Sequence, residues 1–228
     1  MKIRILDLKL VFLLTLLVFF IFNSTLSAGQ VDIPGEEILS NIEKKYTGKS
    51  FQADFKQISK LTALDIVETA TGKAWFSHPG KMRWLYLTPE RHEIITNGND
   101  LWIFRPDQDQ VMRGDAKKFF KAGTGGAFLS DIGLMRENFT IETIETEETN
   151  KTDETHVTLL LTAKQKNPDM DSITIKVSSK THEIQQVTTH NAYGDTTMFE
   201  FSNIQFNQID ESVFEFKVPD GLNIIDMD

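Results

Sequence analysis

Three short stretches of the chain carry residue types that could do chemistry. Gly48-Lys49-Ser50 ends like a phosphate-binding loop, in which backbone N–H groups cradle phosphates and the lysine reaches toward them. The glycine that such a loop needs five residues earlier is absent, Glu43 standing there, so the triplet reads as a turn. Gly123-Thr124-Gly125-Gly126 follows a helical signal rather than a strand, the wrong context for a dinucleotide fingerprint, and reads as a flexible hinge. Asp107-Gln108-Asp109 begins like a calcium loop but lacks the central glycine and the bidentate glutamate, which leaves a surface turn. His78, His92, His156, His182 and His190 show no His-Glu-x-x-His spacing, and no Gly-x-Ser-x-Gly elbow occurs. Without cysteine there is no thiolate nucleophile, no disulfide and no cysteine-ligated zinc. A catalytic reading has little to stand on, and no metal-ligand spacing is found.

Apolar residues carry the stronger signal. Trp75, Phe76, Trp84, Tyr86, Trp102, Phe104, Phe119, Phe120, Phe128 and Phe139 fall within 65 residues, mixed with Met82, Leu129, Ile132 and Met135. They make either an ordinary core or a concave wall under movable helices, with room for a hydrophobic ligand. Periodicity does not choose between a filled core and a fillable one; the glycine run ahead of Phe128 leans toward a lid. The cavity residues expected on this reading are Ala74 and Phe76 on one strand, Met82, Trp84 and Tyr86 on the next, and Phe128, Leu129 and Ile132 from the lid.

The elements that would hold these residues follow from spacing. Ile38, Leu39, Ile42 and Tyr46 form one helical face, with Glu36 and Glu37 in the first turn, Lys44 and Lys45 in the last and Gly48 beyond. From Phe51 the period is two. Strands are expected at Phe51–Phe55, Glu68–His78, Met82–Tyr86, Arg91–Thr96 and Leu101–Phe104, with turns at Pro79-Gly80 and Asn97-Gly98-Asn99. Ala116–Ala122 and Phe128–Met135 read as short helices, and Glu142–Glu154 as an exposed acidic loop. Strands return around Val157–Leu161, Ile173–Val177, Ile184–Thr189 and Phe199–Phe201, and Ile204, Phe206 and Val213–Val218 close the chain. About ten strands, three short helices and no βαβ rhythm predict a curved or barrel-like antiparallel sheet with helices on one face.

The first residues are of another kind. Lys2, Arg4 and Lys9 precede a short apolar run, Leu10–Phe22, which is followed by small and polar residues to Ala28. This is the pattern of a secretory signal cleaved after Ala28; an uncleaved anchor is the alternative, though the run is short for one. Residues 29–228 are then a single domain. Losing three basic residues and one acidic residue (Asp7) deepens the formal charge from −9 to −11. So acidic a chain has no basic stripe for a phosphate backbone, and nucleic acid is excluded as a partner. With no cysteine at the cut, N-terminal lipidation is excluded too.

In order and spacing these segments resemble the periplasmic lipoprotein carrier family, LolA, from about Ile38 to Ile225. The likeness rests on Ser50-Phe51-Gln52-Ala53-Asp54-Phe55-Lys56-Gln57 and on the run Gly72-Lys73-Ala74-Trp75-Phe76-Ser77-His78-Pro79-Gly80-Lys81-Met82-Arg83-Trp84. It continues through Asn97-Gly98-Asn99-Asp100-Leu101-Trp102-Ile103-Phe104 and Phe214–Leu222. The resemblance implies an unclosed antiparallel half-barrel of about eleven strands under three helices. It implies a monomeric periplasmic chaperone that takes acylated lipoproteins from an inner-membrane lipoprotein-releasing ABC transporter to an outer-membrane lipoprotein receptor, without reaction or cofactor. Members commonly have an arginine before the hairpin proline that holds the lid through hydrogen bonds to helix carbonyls. Here His78 stands in that place, and a neutral imidazole offers one donor where a guanidinium offers five. His78 is either a weaker, pH-dependent lid latch or a residue that merely flanks the turn. A sensory or scaffold module that binds lipid on the same half-barrel is the alternative function, since fold does not fix function.

Overall fold

Helix α1 (Gly35–Tyr46) forms where the stripe predicts it, burying Ile38, Leu39, Ile42 and Tyr46. Just beyond it Gly48 turns the chain at φ +68°, a left-handed conformation that glycine adopts without penalty. The computed structural model describes residues 35–121, 127–149 and 154–227. The expected signal at residues 1–28, the Gly123–Gly126 hinge and the side chains of Phe120 and Phe128 lie outside the described residues. The described elements fall within one compact unit, Ile33–Asp228.

Twelve strands make one sheet: β1 (Ser50–Leu61), β2 (Ile66–Ser77), β3 (Lys81–Thr88), β4 (His92–Asn97), β5 (Asp100–Arg105), β6 (Gln110–Asp115), β7 (Phe139–Thr149), β8 (Glu154–Ala163), β9 (Ser172–Ser178), β10 (Ile184–His190), β11 (Thr196–Phe206) and β12 (Asn223–Asp226). Their order is β12-β6-β5-β4-β3-β2-β1-β11-β10-β9-β8-β7, so the sheet has two free edges and does not close. Neighbours are antiparallel except for β12, which runs parallel to β6. The sheet curls strongly. Trp84 on β3 and Phe199 on β11 have ring centroids 5.0 Å apart, although three strand spacings of about 4.8 Å would separate their strands in a flat sheet.

Short helical pieces cover the inner side of that curl: α1, α2 (Ala116–Lys121), a 3-10 turn (Ala127–Ser130) and α3 (Gly133–Asn138). The expected Phe128–Met135 helix is therefore two pieces. Arg136 of α3 pairs with Glu43 at 3.0 Å and with Glu36, both on α1.

Three expectations need correcting. Of the expected loop Glu142–Glu154, the stretch Glu142–Thr149 is strand, because β7 continues to Thr149 in register with β8; residues 150–153 lie outside the described residues. The β-branched Thr140, Ile141, Thr143, Ile144 and Thr146 of β7 favour a strand, and as the outermost strand it can carry glutamates without burying them. Val213–Val218 is not in the sheet: a 3-10 turn (Glu211–Phe214) starts at Asp210, whose side chain accepts from the Ser212 N–H, and an extended segment follows. Strands β6 and β12 raise the total above the expected eleven; Pro106–Gln108 turns β5 into β6, with Asp109 at φ +47°.

Candidate functional site

The alternation in β1–β3 puts Phe51, Phe55, Ala74, Phe76, Met82, Trp84 and Tyr86 on the inner face, where they join α1, β8–β11 and the lid in one apolar cluster. The register explains the pairing: Ala74 lies opposite Ala53 on β1 and opposite Trp84 on β3. Phe76 stacks on Phe51 at 4.6 Å and meets Trp84 edge-on at 5.5 Å. Phe55 sits edge-on between Trp84 at 4.8 Å and Tyr86 at 4.9 Å. Gly72 makes room for the Phe55 ring, since a Cβ there would come within 2.7 Å of it and 2.1 Å of the Leu85 carbonyl oxygen.

Ala74, Phe76, Met82, Trp84, Tyr86, Leu129 and Ile132 are each 7% exposed or less and belong to this cluster. The side chain of Phe128 lies outside the described residues. In this structure the inner face is occupied by the protein's own side chains, with lid residues Leu129, Ile132 and Met135 packed into it.

The aromatic set does not share one face. Trp75 points to the other side of β2 and donates its indole N–H to Gln52 Oε1 at 3.1 Å. Trp102 and Phe104 belong to a second, outer cluster with Ile95 and Val111, under the C-terminal segment carrying Phe216, Val218 and Leu222. Arg83 fastens that segment. It makes an ion pair with Glu93 at 2.6 Å and donates to the Val213 carbonyl at 3.0 Å. The buried inner-face aromatics from outside the 65-residue window, Tyr46, Phe51, Phe55 and Phe199, are absent from the expected cavity set. Their periodicity was legible, but the register that brings β11 and β1 against β3 was not.

The β2–β3 turn touches the lid twice. The Gly80 N–H donates to the Ser130 carbonyl at 2.7 Å. His78 is half-buried between Phe51 and Tyr46, with ring centroids 6.1 and 6.4 Å away. It shares a hydrogen bond with the Leu129 backbone, whereas its Nε2 has no partner among the described residues. Burial outweighs that hydrogen bond and holds the imidazole pKa down, at about 4. The ring is thus neutral near pH 7, with one nitrogen toward the lid backbone.

Among the described residues no group of three or more His, Asp or Glu side chains could hold a metal ion. What the geometry offers is one continuous apolar cluster under short helical pieces.

The model for the family described as outer membrane lipoprotein carrier protein LolA matches residues 47–217. An outer-membrane lipoprotein carrier protein of Coxiella burnetii is 25% identical over 217 residues, covering 93% of this chain and 96% of the relative. One from Ralstonia nicotianae is 28% identical over 182 residues, covering 78% and 79%. Among solved structures, an uncharacterized conserved protein from Thermus thermophilus superposes with a TM-score of 0.56 at 9% identity, over 84% of this chain and 98% of that one, which speaks for the fold alone.

Proposed function

The chain belongs to the outer membrane lipoprotein carrier protein LolA family, and from that premise we propose that it is a periplasmic chaperone shielding the acyl chains of mature lipoproteins on the inner face of its half-barrel. It takes them from an inner-membrane lipoprotein-releasing ABC transporter and delivers them to an outer-membrane receptor, as a monomer and without reaction chemistry. Residues 1–28 are its export signal and residues 29–228 the carrier domain.

The observation that supports this reading best is the inner cluster itself. It presents phenylalanine, tryptophan and methionine side chains with few directional groups, closed over by helical pieces of six residues or fewer besides α1. A non-directional, adaptable wall suits cargo whose common feature is hydrocarbon. Acyl chains enter when Leu129, Ile132 and Met135 lift away. His78 latches the closed state through the Leu129 backbone.

The test is to purify the exported protein together with an acylated lipoprotein and examine it by native mass spectrometry. A one-to-one soluble complex that then gives its cargo to membranes is the expected result. Absence of any acylated species would overturn the reading, and tight retention without transfer would favour a lipid-binding sensor instead.

A further inference from the structure

The end of β3 away from the lid opens into a cleft of about 580 Å³ between β2, the β3–β4 turn and the β5–β6 turn. Tyr86 is its inner limit. The Tyr86 ring stacks on His92 at 4.0 Å, and its hydroxyl donates to Gln57 Oε1 at 2.8 Å. Because Tyr86 belongs to the inner apolar cluster and Ala70 packs against it, the polar chamber and the apolar face meet at these two side chains.

The charges of the chamber are of both signs. Arg91 and Arg105 face it, as do Glu68, Glu90 and Asp107, and none of the five makes an ion pair among the described residues. Two guanidiniums against three carboxylates make a poor seat for a phosphate, which would bring a further negative charge beside the carboxylates. An extended polypeptide is a different guest. Its N–H groups need acceptors and its carbonyls need donors, and free carboxylates and guanidiniums supply both.

Resting on the carrier reading above, we infer that this cleft seats the first peptide residues that follow the acylated N-terminal residue of the cargo. It thereby selects lipopeptides over phospholipids with the same chains. Tyr86 marks the crossing from peptide to hydrocarbon: its ring faces the chains and its hydroxyl the chamber. The selection is electrostatic and is exerted at the mouth, so the apolar wall itself need not discriminate.

The experiment displaces a pyrene-labelled diacylglycerol from the full chain with two competitors carrying the same palmitoyl chains. One is a diacylglyceryl-cysteinyl pentapeptide of neutral sequence, and the other is phosphatidylglycerol. The lipopeptide is expected to bind at least about tenfold more tightly, a difference of about 1.4 kcal/mol. Arg91→Glu with Arg105→Glu should cut the ratio of lipopeptide to diacylglycerol affinity about tenfold. Glu68→Lys with Glu90→Lys should draw phosphatidylglycerol toward the lipopeptide value. These four side chains lie at the rim, and circular dichroism checks that the variants are folded. Equal competition by both ligands, unmoved by either pair of substitutions, would overturn the inference while leaving acyl binding intact. Failure of the pyrene probe to bind at all would remove the carrier reading and this inference with it.

Discussion

Acid should loosen this protein through His78. The unfolded imidazole takes up a proton near pH 6.5, whereas the folded one, beside Tyr46, Phe51 and the Leu129 backbone, does so only near pH 4. Between those values the unfolded chain binds more protons than the folded one. Stability is therefore intact above about pH 6.5 and falls as the pH drops toward 4. Each pKa unit corresponds to about 1.4 kcal/mol, so at pH 4.5 the loss amounts to roughly 2 to 3 kcal/mol. The assay is urea unfolding of the wild type and of His78→Gln, which cannot titrate, at pH 7.5 and 4.5. Carboxylates shared by both proteins also respond to pH, so the double difference isolates His78. The wild type should lose about 2 kcal/mol more than the variant does between the two conditions. Equal losses would refute the assignment of a buried neutral imidazole at the lid.

Gly72→Ala should destabilise the fold by about 2 kcal/mol or more, read from the urea midpoint, because the new Cβ meets a backbone oxygen that cannot swing aside. Arg83→Ala should cost about 3 kcal/mol by stranding the Glu93 carboxylate, whose side chain is 9% exposed. Replacing both members by apolar residues should recover much of that loss in the same measurement. Ile132→Ala removes a fully buried lid side chain and should weaken the closed state by about 2 to 4 kcal/mol. Because the open fraction then rises, its apparent affinity for a lipopeptide should increase, as titration would show; a decrease would mean that Ile132 serves mainly as wall.

Local pattern made most of the fold readable. The stripe Ile38, Leu39, Ile42, Tyr46 and the alternations in β1, β3 and β9 name their own faces, and Pro79-Gly80 and Asn97-Gly98 name their turns. Partners chosen across the chain were not readable. Trp102 looks like a companion of Trp84 in the sequence, yet it faces outward because the C-terminal segment lays Phe216 over it. Nothing near Trp102 announces a cover that lies more than a hundred residues away. The glutamates of β7 misled for a related reason: an outer strand tolerates a polarity that an inner strand could not. His78 shows the opposite case, since its phase with Ala74 and Phe76 pointed inward, and its ring lies against Phe51 and the Leu129 backbone.

The packed inner face also bears on how a carrier lets go. Three acyl chains hold roughly forty methylenes, and burying each contributes ~0.8 kcal/mol. The gross sum of about 30 kcal/mol exceeds the practical limit near 20 kcal/mol for noncovalent binding. A wall that stood vacant would collect too much of that sum and would hold its cargo too long. Here Leu129, Ile132 and Met135 already occupy the inner face, and separating them from Phe76, Met82 and Trp84 re-exposes apolar surface at about 1.5 to 3 kcal/mol per side chain. Hydrocarbon must compete with the protein's own lid, so these three side chains together offset about 5 to 9 kcal/mol of the gross sum. On the proposed reading the net affinity is thereby brought down, and closing the lid would bury that surface again as the cargo leaves. On the proposed carrier reading, a filled interior in the cargo-free state helps a hydrophobic carrier to release as well as to load.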